Sequence, residues 1–437
     1  MGTISGWTQK RALEPWLALL SRPGFLPICF GIFVATRAAL IFWVPIAEPF
    51  SDSGWYLNRA LTLLADGSYS ERGLPTAYWP VGYPAFLALV FKVAGPSWLA
   101  AQLANLVLAG ASFWLLYAVA RRFLQHELAG RGAVLLLTLY PNNAAYVPAL
   151  LTEALYTFLL LAACYGLLSG RTWWHLLSAG VLFGLATLVK TQTILLIPVL
   201  AGLAFLDTWS ISKAVRAAMS AAAVLGIALL VAAPWALRNY AVLGAAVLST
   251  NGGTALLAGN NPSVVGDYWH DYSEDDPLFS EARFSAQDQV QADKRARTLA
   301  VGWIKDHPVQ FLLLAPKKVF RLWAPDGEGE WMYQDTPFYQ RHSTVFRLVR
   351  VFNQAFYGLA MMLFALSIWR LLTLRSAPTM YFGLGVVLVT TFTSVVFSGQ
   401  SRYHFPAMPF IFAYVAWYLA TCAQSPRDPP ISVPDRL

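Results

Sequence analysis

Long apolar runs recur along this chain, each bounded by arginine, lysine or turn-forming residues. Several reach about 17–22 residues, enough to cross a bilayer as a helix. Hydrocarbon offers no water to backbone N–H and C=O groups, so each run must close its hydrogen bonds internally. The sequence therefore reads as an all-α polytopic membrane protein. Charged residues are 12% of the 437 and hydrophobic residues 57%, against about 25% charged in soluble proteins. The formal net charge is +8. Much of the excess lies in short loops, where it sets topology, and no arginine-rich tail or recognition motif points to nucleic acid. Cys29, Cys164 and Cys422 are scattered, with neither a disulfide framework nor a metal-ligand spacing.

Taken in order, residues 1–24 form a basic segment (Lys10, Arg11, Arg22) ahead of the first run, which reads as a retained signal anchor. A transmembrane module follows over 25–234, with a polar first loop at 47–96. There Trp55, Tyr56, Ala60, Leu63 and Leu64 fall at helical spacings, and Gly67 is a stop signal. This predicts an interfacial helix just after Asp52, with a second at 84–95. The third run breaks at Pro141-Asn142-Asn143, and the seventh ends near Pro234-Trp235. Residues 235–344 form a polar region, with a helix expected over 281–305 and an apolar helix at 308–323 lying in the interface rather than spanning. C-terminal spans occupy 345–423, and the proline-rich tail 424–437 reads as disordered. With the N-terminus inside, Arg121, Arg122, Arg131, Arg171, Lys213, Arg216, Arg370 and Arg375 all fall on the inner side. This gives about ten spans in the inner (plasma) membrane with both termini cytoplasmic.

That topology gathers uncommon polar groups at one membrane face. Asp52, Glu153, Lys190, Arg238, Asn239, Asn260, Asn261, Arg402 and His404 all lie at outer ends of apolar runs. Arg37 is the exception, inside the first run, where a cation faces a cavity or a partner. Two carboxylates beside several cations fit a displacement at a phosphate-linked carbon. One carboxylate takes the proton of an acceptor hydroxyl. Cations at Arg238, Lys190, Arg402 and Arg37 would stabilise the departing phosphate. Asp52 and Glu153 could also hold a divalent metal, and no other cofactor is called for. There is no Walker A loop, GxSxG or HExxH motif. The same groups could serve a flippase or transporter of a polyprenyl-linked glycan or anionic lipid, although ion pathways carry ionisable groups through the whole membrane depth. A non-catalytic assembly subunit is a third alternative.

The ordered motifs are Arg37; Asp52 followed by Trp55-Tyr56 and Ala60-Leu61; Pro80-Val81-Gly82-Tyr83-Pro84; Thr152-Glu153-Ala154-Leu155; Gly184-Leu185-Ala186 before Lys190; Pro234-Trp235 with Arg238-Asn239; Asn251-Gly252-Gly253 and Gly259-Asn260-Asn261-Pro262; and Arg402-Tyr403 with Pro406 and Pro409. With these the chain resembles the GT-C superfamily of membrane glycosyltransferases. More narrowly, it resembles the family 39 branch of protein O-mannosyltransferases and lipid A aminoarabinose transferases. The resemblance implies a polyprenyl-phosphate-linked sugar donor used at the outer face. It also implies inversion at the anomeric carbon, an envelope acceptor (lipid, glycan or protein), and contact with membrane lipids. Asp52 would be the general base and Glu153 the second acidic position. Tyr56, Trp79, Tyr83, Asn239, Asn260, Asn261, Tyr403 and His404 are the expected substrate contacts. The chain departs from the family where Tyr78-Trp79 replaces a frequent charged residue. It also lacks a large C-terminal soluble domain, so acceptor recognition would fall to 251–306.

Overall fold

The structure is a computed structural model that describes residues 15–206, 208, 210–264, 266, 288–374 and 376–423. The N-terminal Lys10 and Arg11, Arg375, the tail 424–437 and most of the acidic stretch 267–293 lie outside the described residues.

Helix α1 (Phe25–Trp43) leads into α2 (Ser51–Asp66), a small hairpin and α3 (Gly82–Ala94). The hairpin pairs β1 (Ser70–Glu71) with β2 (Leu74–Pro75) in antiparallel register. The two helices of the first loop are where the apolar spacing places them. Helix α2 stops at Gly67, whose φ of 72° is the left-handed conformation that glycine adopts without steric cost. Next come α4 (Trp98–Phe123), α5 (Glu127–Leu139), the short α6 (Pro141–Tyr146), α7 (Glu153–Ser169), α8 (Trp173–Val189) and α9 (Thr193–Phe205). The break between α5 and α6 falls at Pro141, which has no N–H to continue the ladder and takes the first helical position instead.

Helix α10 (Ile211–Leu243) overruns its expected end at Pro234-Trp235. A proline is tolerated inside a membrane helix because neighbouring groups satisfy the freed carbonyl. Arg238 and Asn239 therefore ride on a helix rather than following one. Then come α11 (Gly252–Ala258), α12 (Gln289–Asp306), α13 (Pro308–Leu322), α14 (Pro337–Arg341), α15 (Ser343–Thr373), α16 (Phe382–Val396) and α17 (Met408–Ala423). The helix expected over 281–305 is described only from Gln289 onward. Helix α13 runs unbroken through Pro316 and is amphipathic. Leu314, Lys318 and Leu322 are buried, while Val309, Leu312, Leu313 and Phe320 are exposed.

Six stretches among the described residues are long and apolar enough to cross a membrane: α1, α4, α10, α15, Pro378–Val396 and Ser401–Cys422. Helices α3, α7, α8 and α9 are shorter apolar helices. Helix α5 has 13 residues, which is about 20 Å and short of a hydrocarbon core. The chain is thus an all-α polytopic membrane protein, with long spans fewer than the runs suggested and half-length helices filling the interior. Helix α17 is the central pillar, packed on α5 and α15; 78% of the span containing it is buried, against 22% for α1. Helix α8 packs between α7 and α10. A Cβ at Gly184 would lie 2.6 Å from the Cβ of Val231, so glycine is what lets α8 close on α10. Apolar side chains on α1, α10 and α15, among them Ile28, Leu230 and Phe352, face outward as a membrane-covered surface requires.

Candidate active site

Four charged side chains from distant stretches meet at one end of the bundle. Asp52 lies in the first turn of α2, Glu153 is the first residue of α7, and Lys190 caps the end of α8. Arg402 lies in a short 3₁₀ segment, Ser401–Ala407, that leads into α17. Its Nη1 is 2.8 Å from Asp52 Oδ2, its Nε 2.8 Å from Glu153 Oε1, and its Nη2 3.4 Å from Glu153 Oε2. Lys190 Nζ adds a contact to Glu153 Oε1 at 3.2 Å. Two carboxylates and two cations balance, which a poorly hydrated site requires. Glu153 is 1% exposed at its side chain and Asp52 27%. Access to the cluster is therefore from the Asp52 side. Among the described residues Asp52 Oδ1 accepts no hydrogen bond, so one carboxylate oxygen is open.

Local structure explains how these groups are aimed. Ser51 has φ of 48°, a left-handed turn that swings the chain into α2 immediately before Asp52. Helix α3 begins directly on the end of α8. A Cβ at Gly82 would lie 2.6 Å from Leu188 O and 2.7 Å from Val189 Cγ2. Glycine in the Pro80–Pro84 motif thus allows the contact beside Lys190. Tyr56 stands one turn after Asp52 and meets Tyr83 edge-on at 5.4 Å, with Trp79 at 6.4 Å. Lys190 Nζ sits 5.3 Å over the Tyr156 ring. Tyr403, next to Arg402, is partly exposed.

Other residues singled out from the sequence hold the scaffold and do not join the cluster. Arg37 is fully buried over Phe33 and donates to Leu137 O, Thr138 O and Asn143 Oδ1, closing the end of α5. Arg238 donates to Thr76 O and Tyr69 O at 2.8 Å, pinning the hairpin to α10 with its guanidinium over Trp235. Asn239 donates to Val247 O. Asn260 donates to Leu256 O and Val396 O and accepts from Lys318, while Asn261 donates to Leu257 O. His404 is fully buried against Asp326. Uncommon polar residues at helix ends meet backbone carbonyls as readily as ligands, because those carbonyls need donors.

Two site-adjacent acids have no counterpart in the sequence reading. Glu328 Oε2 accepts the Arg402 backbone N–H at 3.1 Å. Burial pushes its carboxyl above the ordinary glutamate value, against smaller pulls from Ser401 and Arg402. Asp326, two residues earlier, is 4% exposed. Burial acts against its charged form, but His404, Tyr140 and Asn353 outweigh that and hold its carboxyl below the usual value. The available signal was the run Asp326-Gly327-Glu328-Gly329-Glu330, acids alternating with glycines between apolar helices.

The donor set does not suit a divalent metal as it stands. The Arg402 guanidinium bridges Asp52 and Glu153, and both Glu153 oxygens face cations. Among the described residues no three His, Cys, Asp or Glu side chains gather in a metal-holding group.

Residues 79–237 match the family model described as dolichyl-phosphate-mannose-protein mannosyltransferase. That stretch includes Glu153, Lys190 and the Gly82 contact. No curated protein sequence matches the chain. Among solved structures it is similar to the apo oligosaccharyltransferase of Archaeoglobus fulgidus, at 12% identity and a TM-score of 0.52, over 90% of this chain and 50% of that one. The same enzyme in complex with zinc and sulfate aligns at 14% identity and a TM-score of 0.50, over 89% and 48%. ArnT from Cupriavidus metallidurans bound to undecaprenyl phosphate aligns at 12% identity and a TM-score of 0.40, over 93% and 78%. The chain thus spans about half the length of the archaeal oligosaccharyltransferase it matches. It has the fold of the GT-C superfamily of membrane glycosyltransferases, with the sequence signature of dolichyl-phosphate-mannose-protein mannosyltransferases over residues 79–237.

Proposed function

We propose that the chain is a glycosyltransferase that moves a sugar from a polyprenyl-phosphate carrier to an envelope acceptor of the lipid, glycan or protein class. The observation that carries this reading is the Arg402 bridge. One guanidinium holds Asp52 and Glu153 together, with Lys190 alongside and one oxygen of Asp52 open. The family match over 79–237 supports a dolichyl-phosphate-type donor.

In this mechanism the acceptor hydroxyl gives its proton to Asp52 Oδ1 as its oxygen attacks the anomeric carbon. The bond from that carbon to the phosphate oxygen breaks, and the carrier phosphate leaves with the electron pair. Attack opposite the leaving group inverts the anomeric centre. Arg402 and Lys190 take up the charge that develops on the phosphate, where low hydration makes each contact stronger than in water. Glu153 holds both cations in place. The reaction occurs at the outer face of the inner membrane, with both termini cytoplasmic, in keeping with the arginines at the opposite helix ends.

The test is mass spectrometry of envelope lipids and glycans from cells with and without the chain. It is paired with transfer by the purified chain from a synthetic polyprenyl-phosphate sugar. A product one sugar heavier, present only with the chain, is expected. Identical profiles together with no transfer in vitro overturn the reading.

A further inference from the structure

His404 is fully buried, and both of its ring nitrogens face acceptors. Nδ1 lies 2.7 Å from Leu322 O and Nε2 3.2 Å from Asp326 Oδ1. A neutral imidazole carries a single N–H and can serve only one of them. The ring is stacked between Trp323 at 5.5 Å and Tyr357 at 5.3 Å, nearly parallel to both.

Asp326 is the hub of this arrangement. Its Oδ2 accepts from Tyr140 Oη at 2.7 Å and Asn353 Nδ2 at 3.0 Å, and Asn142 donates to Oδ1. Asn142 in turn accepts the Gly329 N–H at 2.9 Å. The hub joins the α5–α6 turn, the loop after α13, helix α15 and the 3₁₀ segment before α17. None of these side chains touches Asp52, Glu153 or Lys190. Yet Arg402 lies two residues before His404, and Glu328 lies two residues after Asp326. The Arg402 N–H to Glu328 bond closes the loop between them.

We infer that Asp326 and His404 are positioning residues for Arg402: a buried clamp that sets where the guanidinium meets Asp52 and Glu153. Arg402 needs such a clamp. It stands in a short 3₁₀ segment, whose weaker hydrogen bonding does not fix direction as an α-helix would. Ordering a free arginine side chain also costs rotamer entropy. The clamp fixes the backbone on either side, so that cost is met in folding rather than at each turnover.

This inference rests on the Arg402 cluster being the transfer site, and two readouts on the full-length chain in nanodiscs separate the two ideas. The first is backbone amide exchange over residues 400–406. Faster exchange at Arg402 is expected in H404Q and in Y140F, the latter losing the one hydroxyl that donates to Asp326 and accepts from Asn142 and serving if H404Q folds poorly. The second is a double-mutant cycle on kcat/KM. H404Q should lower it by about 10²-fold, the scale of a misplacement of about 1 Å. The H404Q/R402K double variant should be no slower than R402K alone, because both act through one group. Additive losses with unchanged exchange overturn the clamp. If exchange responds but the wild-type chain transfers no sugar, the clamp stands and the catalytic reading falls.

Discussion

Arg402 lies 350 positions from Asp52 in the chain and 2.8 Å from it in space. The first polar loop and the approach to the last span are thus closed on each other by one ion pair. Glu153 occupies the other side of the same guanidinium. Three segments depend on this side chain for their relative placement, so it has a structural and a chemical role together.

Removing Arg402 should separate those roles. Arg402→Met leaves Glu153 buried with only Lys190 and leaves Asp52 without a partner. Breaking such a buried pair costs about 3–5 kcal/mol. Arg402→Lys keeps the charge but lacks the planar fork that directs three nitrogens at Asp52 and Glu153. The expected outcome is a large fall in thermal stability for the methionine variant. The lysine variant should show a smaller fall with strongly reduced transfer. Unfolding curves in detergent and a transfer assay check both.

Lys190 and Arg238 should behave differently from each other. Lys190 touches the cluster, while Arg238 bonds backbone carbonyls of the hairpin. A hydrogen bond to a charged group is worth about 1.5–3 kcal/mol, or roughly 10–100-fold in affinity. Lys190→Met should weaken donor-lipid binding by that factor. Arg238→Met should lower stability by about 2–3 kcal/mol and leave donor affinity alone. Donor titrations on both variants decide. A loss of affinity confined to Arg238→Met would place the phosphate at the hairpin instead.

Glu328 gives a pH signature. Its carboxyl is pushed up by burial, so the folded chain holds that proton more tightly than the unfolded chain. The stabilisation is complete below the ordinary glutamate value of about 4.3 and is lost as pH rises through the raised folded value. Glu328→Gln mimics the protonated form at every pH. The variant should match the wild type in melting temperature near pH 4 and exceed it increasingly on going to neutral pH. A difference independent of pH would mean that the Glu328 proton is held equally in the folded and the unfolded chain.

How much of this was legible in the sequence depends on what kind of signal each residue leaves. Apolar runs and their stops are local, so the helices of the first loop, the break at Pro141 and the stop at Gly67 could be read directly. Charge at the ends of runs is also local, which is why Asp52, Glu153, Lys190 and Arg402 stood out. Their pairing was not legible, because spacing along the chain does not report which helix ends are neighbours. The same limit explains Arg37, Arg238 and His404. Each was marked as unusual, but whether a cation or a ring meets a ligand or a carbonyl is settled only by packing. Asp326 and Glu328 lie between α13 and α14, where no apolar period drew attention, and only burial reveals them. The sequence places the end of a span at Pro234, yet the helix runs on to Leu243, because proline breaks helices in water more strictly than in membranes.

The assignment of the general base to Asp52 rests on a contrast between the two carboxylates. Glu153 is 1% exposed and has both oxygens engaged by Arg402 and Lys190. A carboxylate so held has no free oxygen to take a proton. Asp52 shares Arg402 through one oxygen and is 27% exposed, with the other oxygen open. A positioned carboxylate that accepts the acceptor's proton in the transition state contributes about 10²–10⁴-fold. Asn keeps the shape of Asp, and its carbonyl can still accept from Arg402, but it cannot take that proton. Asp52→Asn should therefore lower kcat by about that range with donor affinity little changed. Asp52→Glu should recover only part of the rate, since misplacement by about 1 Å can cost about 10²-fold. Asp66→Asn is the control. That side chain is exposed at the end of the same helix, where it accepts from Ser68 N at 2.8 Å, and its loss should leave turnover unchanged. Glu153→Gln should instead destabilise the fold by about 3–5 kcal/mol, because Lys190 loses its carboxylate and Arg402 keeps only Asp52. Normal turnover by Asp52→Asn at saturating donor and acceptor would remove Asp52 as the base and pass the role to Glu328, the remaining carboxylate beside Arg402, whose Oε2 accepts the Arg402 backbone N–H.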